Sequence, residues 1–298
     1  MRAVALLVLV AGCGRVAFES ATDAATDDAP DAPLGDFGAP LLIAETSDPG
    51  TEDDPTATDD ALEMYFSSGR LGAASGFSDL FVTRRESLSS VWSAPSPVAE
   101  LDSTEEDQSA GISPAGLTIY FTSRRTTPQI AGASSNIWMA TRTTRANAWS
   151  APALVPELST TMDEFEPQPD ESGLRIVLYR QIGSDRELME ATRATVGAAW
   201  GAPVLITSVN TTGDERSPML ADGGLSIYFS SDRSSGMAGV HDLFVAHRPT
   251  LDDPFGAPTL LPVNSSADDD DPWVSTDGHV LLFSSTRSGN SELYEARR

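Results

Sequence analysis

The sequence predicts an all-β fold: a five-bladed β-propeller whose blades are four-stranded antiparallel sheets. Two repeated patterns and one feature of the chain ends predict it. The first pattern is a tetrad of an aromatic residue, Gly or Ser, Ala and Pro, which occurs five times at intervals of 51 to 57 residues. A repeat of roughly 50 residues is close to the length of one propeller blade. The tetrad aromatic residues are Phe37, Trp92, Trp149, Trp200 and Phe255.

The second pattern is a pair of strand-like runs between successive tetrads. In the fourth repeat the first run spans residues 225–231 (LSIYFSS) and the second run spans residues 242–248 (DLFVAHR). The first run is rich in β-branched and aromatic residues, as expected of a strand that is buried on both faces. We expect the tetrad to open a third strand, and the acidic, proline-containing segment to supply a shorter fourth one. The chain shows no helical hydrophobic period.

The ends of the repeat region predict how the ring of blades closes. The region begins with a tetrad strand, residues 37–44, that lacks the three strands expected before it. It ends at Arg298, after a second run that lacks its tetrad strand. We expect these fragments to pair and complete the last blade, because pairing removes the free sheet edges that promote aggregation. The predicted propeller therefore spans residues 37–298.

The first 36 residues predict export rather than a folded domain. Residues 3–11 form an apolar run that is too short to span a bilayer and is typical of a signal peptide over residues 1–12. Val-Ala-Gly followed by Cys13 resembles a bacterial lipobox, which implies a lipid on the Cys13 sulfur. The alternative is an ordinary signal peptide with an incidental cysteine. Residues 13–36 are acidic and poor in apolar side chains, which predicts a disordered tether.

The charge of the chain limits its partners. The chain has 44 acidic and 19 basic residues, a formal net charge of -25, and every basic residue is an arginine. Such a surface repels phosphate backbones, so we expect no nucleic-acid partner. It favours basic partners or cations, although the same charge also keeps a protein soluble. We expect a monomer that contacts the membrane only through its lipid anchor.

One position is acidic in all five repeats when the repeats are aligned on the first run. This acidic column lies ten residues before the run and contains Glu52, Asp107, Glu164, Glu215 and Asp269. We expect it to begin the innermost strand of each blade, near the mouth of the central channel. A second position, expected at the end of the next strand on the same face, is arginine in four repeats and isoleucine in the third. Its residues are Arg70, Arg125, Ile182, Arg233 and Arg287.

The acidic column allows two interpretations. In the first, each carboxylate pairs with an arginine between neighbouring strands or blades, because the planar guanidinium matches a carboxylate. In the second, the carboxylates form a ring that binds a cation such as Ca²⁺ or a basic peptide. The candidate binding residues are then the acidic column together with Asp270 and Trp273, in and just after the acidic run of the last repeat. We expect no catalytic residue, no metal-ligand motif and no cofactor other than Ca²⁺.

The strand runs resemble the WD40-like repeats of TolB-type propellers. The best match covers residues 222–233 (DGGLSIYFSSDR) and 242–245 (DLFV). The resemblance implies the propeller fold and no particular function. TolB has six blades and an additional N-terminal domain, whereas this chain has five repeats, so the partner interactions of TolB do not transfer.

These patterns predict a binding or scaffolding module of the cell envelope, at the outer membrane or on the periplasmic side. It would recognise a protein, peptide or glycan partner without catalysis. One alternative is a purely structural surface lipoprotein. Another is a hydrolase similar to five-bladed glycoside hydrolases, which need carboxyl groups of different pKa and therefore favour asymmetric positions. The asymmetric positions are residues 268–271, Phe165 with Arg180, the 126–135 loop, and His241.

Overall fold

The computed structural model describes residues 35–70, 78–130, 134–233 and 240–298. Over these ranges the chain forms twenty β-strands and one short 3₁₀ turn, which confirms the all-β prediction. The predicted signal peptide, Cys13 and nearly all of the predicted tether lie outside the described residues. Within the described part of the chain, no helix is long and apolar enough to cross a bilayer.

The strands form five four-stranded sheets, one for each predicted blade. Strand β1 spans Leu41–Leu42. Blade 1 contains β2 (Glu52–Ala57), β3 (Glu63–Ser68), β4 (Asp79–Arg84) and β5 (Ser96–Pro97). Blade 2 contains β6 (Asp107–Ile112), β7 (Thr118–Ser123), β8 (Asn136–Thr141) and β9 (Ala153–Leu154). Blade 3 contains β10 (Glu164–Pro169), β11 (Arg175–Ile182), β12 (Asp185–Thr192) and β13 (Val204–Leu205). Blade 4 contains β14 (Glu215–Ala221), β15 (Ser226–Ser231), β16 (Asp242–His247) and β17 (Thr259–Leu260), with the 3₁₀ turn at Asp222–Gly224. Blade 5 contains β18 (Asp269–Val274), β19 (Val280–Ser285), β20 (Glu292–Arg297) and β1.

The first strands of the five blades form the wall of a central channel. Each sheet is antiparallel, and β2, β6, β10, β14 and β18 contact one another in a closed ring, with β18 against β2. Closure follows the prediction: Leu41 of β1 lies opposite Glu295 of β20, and Leu42 lies opposite Tyr294. The five-bladed propeller and its closure by the N-terminal strand are therefore confirmed.

The relative lengths of two predicted strands are wrong. The acidic, proline-containing segment forms a full inner strand of six or seven residues, whereas each tetrad strand pairs over only two residues. The tetrad strand is the outer edge of its sheet, and much of it is solvent-exposed. A longer ladder would therefore bury little additional surface. Proline also cannot donate to that ladder.

Between neighbouring blades, the tetrad aromatic residues are buried and each packs under an arginine. The ring lies 4.1 to 4.3 Å from the guanidinium carbon of the arginine that follows the third strand of the same blade. This arginine position differs from the one that includes Arg70, and the sequence alone does not single it out. It supports the seams between blades. The pairs are Arg85–Trp92, Arg142–Trp149, Arg193–Trp200, Arg248–Phe255 and Arg298–Phe37.

A β-bulge interrupts each inner strand at its third residue. That residue has a φ of +55° or +56°, the left-handed region that non-glycine residues rarely adopt. The pairing register with the second strand shifts across the bulge in all five blades. The bulge turns the side chain of the third residue toward the channel. The bulge residues are Asp54, Ser109, Glu166, Ser217 and Asp271.

Candidate functional site

The acidic column begins the inner strands as predicted, but its side chains do not face the channel. All five residues have 0% exposure, and each carboxylate forms an ion pair with an arginine. This is the first of the two interpretations of the column. A ligand in the channel cannot reach these carboxylates without breaking the pairs, so the candidate site has to be built from other residues.

Blade 1 shows how each member of the column is held. Glu52 accepts hydrogen bonds from the Ser68 hydroxyl at 2.9 Å and from Arg70 at 3.2 Å. The same Arg70 donates to the carbonyl oxygen of Thr46 at 2.6 Å, and the amide of Asp48 donates to Glu52 at 3.2 Å. The group thereby ties the inner strand to the connection from the previous blade. Burial raises the pKa of Glu52 to about 7 despite the neighbouring Arg70.

Blade 3 replaces the missing arginine with one from a different position. Ile182 stands where the other blades have arginine, and Arg180 instead donates from Nε to Glu164 at 2.7 Å. Arg180 lies directly opposite Glu164 in the β10–β11 ladder, where blade 1 has a serine. The asymmetry predicted at Arg180 is therefore a second solution to the same structural pairing.

The two remaining predicted site residues lie in different places. Asp270 lines the mouth of the channel, where it forms an ion pair with Arg216. Trp273 is 4% exposed and packs in the hydrophobic core shared by blades 5, 4 and 1. It borders a small cavity together with Ala57 and Met219, near the other end of the inner strands. Asp270 and Trp273 therefore do not belong to one site.

The channel mouth forms an acidic cavity of about 320 Å³. Its polar wall includes one guanidinium, that of Arg216, and its aromatic wall is Phe165 stacked on Tyr179 at 5.1 Å between ring centroids. Three of its carboxylates come from bulge residues, whose left-handed backbone turns them inward. The carboxylates that line it are Asp53, Asp54, Glu166, Asp268, Asp270 and Asp271.

Three of these carboxylates converge at the bulges. One oxygen each of Asp54, Glu166 and Asp271 lies within 4.8 Å of the others. Burial raises the pKa of Asp54 to about 7, with the Asp53 charge adding to the effect. Burial, with the charges of neighbouring carboxylates, also raises the pKa of Glu166 and of Asp271 well above the usual range. Since the three repel one another, the cluster favours either bound protons or a cation.

Hydroxyl groups position the cluster but leave one oxygen unpaired. The two serine bulge residues contribute: Ser217 donates to Asp271 at 2.8 Å and Ser109 donates to Asp54 at 3.1 Å. The amide of Asp54 donates to Asp271 at 3.2 Å and links blades 1 and 5. Within the described part of the chain, the buried Oε2 of Glu166 has no hydrogen-bond partner. The cluster therefore supplies no hydrogen-bond donor to that oxygen.

A charged network occupies the side of the mouth formed by blades 4 and 5. His241 lies 3.1 Å from Asp268 and 3.3 Å from Asp214, and Arg216 reaches Asp268 at 3.4 Å. Although burial opposes its charge, hydrogen bonds to Asp214 and Asp268 raise the pKa of His241 to about 9. The same imidazole holds the pKa of Asp268 below its usual value. His241 is therefore a buried cation that neutralises one wall of the cavity.

Asp271 lies in the asymmetric run 268–271, but the other four bulge residues are functional candidates that sequence reasoning missed. They follow the acidic column by two positions, and their residue type varies between Asp, Glu and Ser, so they did not form a column. The available signal was the next residue, which is proline in four of the five repeats. A proline inside a strand run marks an interruption of the ladder.

Comparisons with known proteins confirm the fold. No protein-family model and no curated protein sequence matches the chain. Among solved structures, it is similar to TolB from Acinetobacter baumannii, with a TM-score of 0.52 and 14% identity over 85% of this chain and 56% of that chain. A putative TolB from Agrobacterium tumefaciens gives 0.51 and 14%, over 84% and 79%. A thermostable family-43 glycoside hydrolase gives 0.58 and 12%, over 85% and 90%.

These identities show the fold alone. The chain spans only 56% of the length of the Acinetobacter TolB. TolB proteins and a glycoside hydrolase both occur among the neighbours, so the fold does not choose between a binding role and hydrolysis. The chain has a five-bladed β-propeller fold, which it shares in outline with these TolB proteins and with the glycoside hydrolase.

Proposed function

We propose that the chain is a non-catalytic binding module whose channel mouth holds a positively charged group of a partner, such as the basic side chain of a protein or peptide. The observation that carries the proposal is the charge of the cavity, where six carboxylates and one guanidinium surround about 320 Å³. A cavity lined predominantly by one sign of charge attracts the opposite charge and raises its local concentration.

Arg216 supports the choice of a guanidinium or ammonium ligand. Its own guanidinium already lies in the cavity and pairs with Asp268 and Asp270. Although burial opposes its charge, Asp270 and Asp271 raise the pKa of Arg216 above its usual value. The cavity thus holds one guanidinium stably, and Asp54 and Glu166 remain without a basic partner among the described residues.

A cation would also relieve repulsion within the bulge cluster. Asp54, Glu166 and Asp271 are brought together, and within the described part of the chain none of them forms an ion pair; burial, with the charges of neighbouring carboxylates, raises their pKa values. Binding a cation would favour their charged forms and release protons. The proposed affinity for cations therefore rises with pH through about 7, the pKa of Asp54.

The proposed location of this module is the cell envelope, with an envelope protein or peptide as partner. The support is the lipobox-like sequence ending at Cys13, outside the described residues. Replacing Cys13 with serine is expected to release the protein from the membrane fraction and abolish lipid labelling. An unchanged membrane fraction would contradict the anchor without touching the cavity.

The binding proposal is tested by calorimetric titration with N-acetyl-arginine amide, and with N-acetyl-glutamine amide as the neutral control. We expect the cationic probe alone to bind, more weakly at higher salt. Asp54→Asn and Asp271→Asn should each weaken it by about tenfold or more, since each removes a charge-assisted contact. Asparagine suits these positions because it tolerates the left-handed backbone.

The matched control for these variants is Asp252→Asn, which removes an exposed carboxylate from an outer loop. It changes the net charge equally and should leave the affinity unchanged. Equal losses in all three variants would show a general charge effect and contradict a specific site. Binding of Ca²⁺ with no binding of the arginine probe would assign the cavity to a metal ion rather than to a basic side chain.

One observation favours a second candidate function, glycoside hydrolysis. The cavity contains carboxyl groups whose pKa values are shifted in opposite directions: burial raises that of Glu166, and His241 lowers that of Asp268. Such a pair suits a general acid and a general base. A screen with nitrophenyl glycosides, using Glu166→Gln as the control, tests it. Turnover that disappears in this variant would replace the binding proposal with a hydrolase.

A further inference from the structure

The seam between blades 1 and 2 contains a buried carboxylate that links the two blades. Glu63, the first residue of β3, accepts a hydrogen bond from the Tyr65 hydroxyl at 2.6 Å and pairs with Arg142 of blade 2. Arg142 stacks on Trp149 at 4.3 Å, and the Tyr65 ring meets Trp149 edge-on at 6.0 Å. Although burial opposes its charge, these donors hold the pKa of Glu63 below its usual value.

The seam between blades 2 and 3 repeats this arrangement without the carboxylate. Arg193 stacks on Trp200 at 4.1 Å and donates from Nε to the Gly173 carbonyl at 2.7 Å, as Arg142 does to Gly116 at 2.6 Å. The Tyr120 ring meets Trp200 edge-on at 6.2 Å, which reproduces the geometry of Tyr65 at the first seam.

At the seam between blades 2 and 3, a threonine occupies the position that the glutamate carboxylate has at the first seam. The first run reads LEMYF in blade 1 and LTIYF in blade 2, so Thr118 takes the place of Glu63. Tyr120 is 1% exposed, and its hydroxyl has no hydrogen-bond partner among the residues that the structure describes. Over the described ranges, no acidic residue forms an ion pair with Arg193. A buried hydroxyl left unpaired costs free energy, so the seam is incomplete as it stands.

A cavity of about 570 Å³ lies at this seam. Tyr120, Thr118 and Arg193 line it, so the residue that carries the unpaired hydroxyl and the arginine border the same space. The cavity lies at the end of the blades opposite the channel mouth. In blade 1, β3 begins with Glu63 and ends beside Glu52, near the mouth, and Thr118 takes the position of Glu63 in blade 2. The cavity is therefore separate from the cluster at the bulges.

We propose that this cavity binds the carboxylate of a small zwitterionic ligand, which takes the place that Glu63 occupies at the neighbouring seam. The Tyr120 hydroxyl and the Arg193 guanidinium supply the donors that Tyr65 and Arg142 give to Glu63. Charge-assisted bonds to a guanidinium are the strong class of hydrogen bond.

Carboxylates at the rim of the cavity determine which charge the other end of the ligand carries. Asp59 and Glu171 line the opening, while Asp60 is already paired with Arg145 at 2.6 Å. These rim carboxylates repel phosphate and other multiply charged anions and attract an ammonium group. The ligand class is therefore amino-acid-like, with the carboxylate inward and the ammonium outward.

The test is a calorimetric titration of the propeller with 4-aminobutyrate, butyrate and butyramide. We expect 4-aminobutyrate to bind most tightly, butyrate more weakly, and butyramide not at all. Tyr120→Phe should weaken the binding of 4-aminobutyrate by about tenfold, because it removes one donor to a charged group. Tyr65→Phe is the matched control: it removes the equivalent hydroxyl from a seam already filled by Glu63, and should leave the affinity unchanged.

A second variant supplies the missing carboxylate from the protein. Thr118→Glu should rebuild the arrangement of the first seam, raise the melting temperature and abolish binding of 4-aminobutyrate. Undiminished binding in both Thr118→Glu and Tyr120→Phe, or no binding by the unaltered chain, would overturn the proposal. Equal affinities for butyrate and 4-aminobutyrate would overturn the assignment of an ammonium end. None of these outcomes affects the arginine probe at the channel mouth, so the two sites fail independently.

Discussion

The first and third residues of the five inner strands use carboxylates in opposite ways. The first residue is acidic in every blade, fully buried and paired with an arginine. The third residue varies between Asp, Glu and Ser, adopts a left-handed backbone and faces the channel. The strictly repeated residue therefore serves the blade, whereas the varying residue creates a surface that is particular to this chain.

The largest expected effect on stability comes from a substitution at the first position. Glu215→Gln removes the charge that pairs with Arg233, whose side chain is 17% exposed. We expect the free energy of unfolding to fall by about 3–5 kcal/mol, because a buried guanidinium is left without its partner. Urea denaturation measures this fall. A loss below about 1 kcal/mol would contradict the structural role of the first position.

The comparison also shows how far the sequence predicts the molecule. The tetrads and strand runs predict the five blades and their closure because each repeat buries the same apolar residues. The acidic column is predicted at the start of each inner strand, where it lies. The sequence does not predict that Asp54, Ser109, Glu166 and Ser217 face the channel, because a bulge of one residue changes which side chains point inward. Asp54 and Glu166 carry no mark in the sequence beyond the proline that follows each of them.

A departure from the repeat pattern is only a partial guide to which residues are functional. Arg180 departs from the repeat yet restores the same ion pair, since it lies opposite Glu164 in the ladder. His241 also departs from the repeat, and it does shape the channel mouth through Asp268. The position of Trp273 after an acidic run predicts contact with a ligand, but the alternation of the strand buries this side chain in the core. Side-chain direction, which depends on register, separates these cases.

A smaller effect on the free energy of unfolding is expected when a change of pH titrates the third position. The folded protein holds the proton of Asp54 up to about pH 7, whereas the unfolded chain loses it near the ordinary value of 3.8. The free energy of unfolding should therefore fall as pH rises from about 4 to about 7 in cation-free buffer. Denaturation at several pH values measures this slope, which should be shallower in Asp54→Asn.

His241 provides an internal control for that slope. Its pKa is raised to about 9, so its stabilising charge is present below its ordinary value of 6.5 and is lost as pH rises through 9. Asp54→Asn should leave this alkaline loss in place while it reduces the change between pH 4 and 7. An unaltered slope between pH 4 and 7 in the variant would show that Asp54 does not titrate in the raised range.

The smallest expected effect is a gain in stability from neutralising the third position. Asp271→Asn removes repulsion from Asp54 and Glu166 and keeps a residue that tolerates the left-handed backbone. We expect the free energy of unfolding at pH 8 to rise by about 1 kcal/mol, in contrast to the large loss in Glu215→Gln. Urea denaturation of the two variants side by side makes the comparison. A destabilisation of similar size in both would remove the distinction between the two positions.

Proton release on ligand binding tests most directly whether the third position is a cation site. The measurement is calorimetric titration with N-acetyl-arginine amide near pH 6, in buffers of different ionisation enthalpy. Binding at the bulge cluster should release protons from carboxyl groups of raised pKa, and this release should decrease in Asp271→Asn. Binding without proton release, with the same enthalpy in every buffer, would place the cation elsewhere and contradict the account.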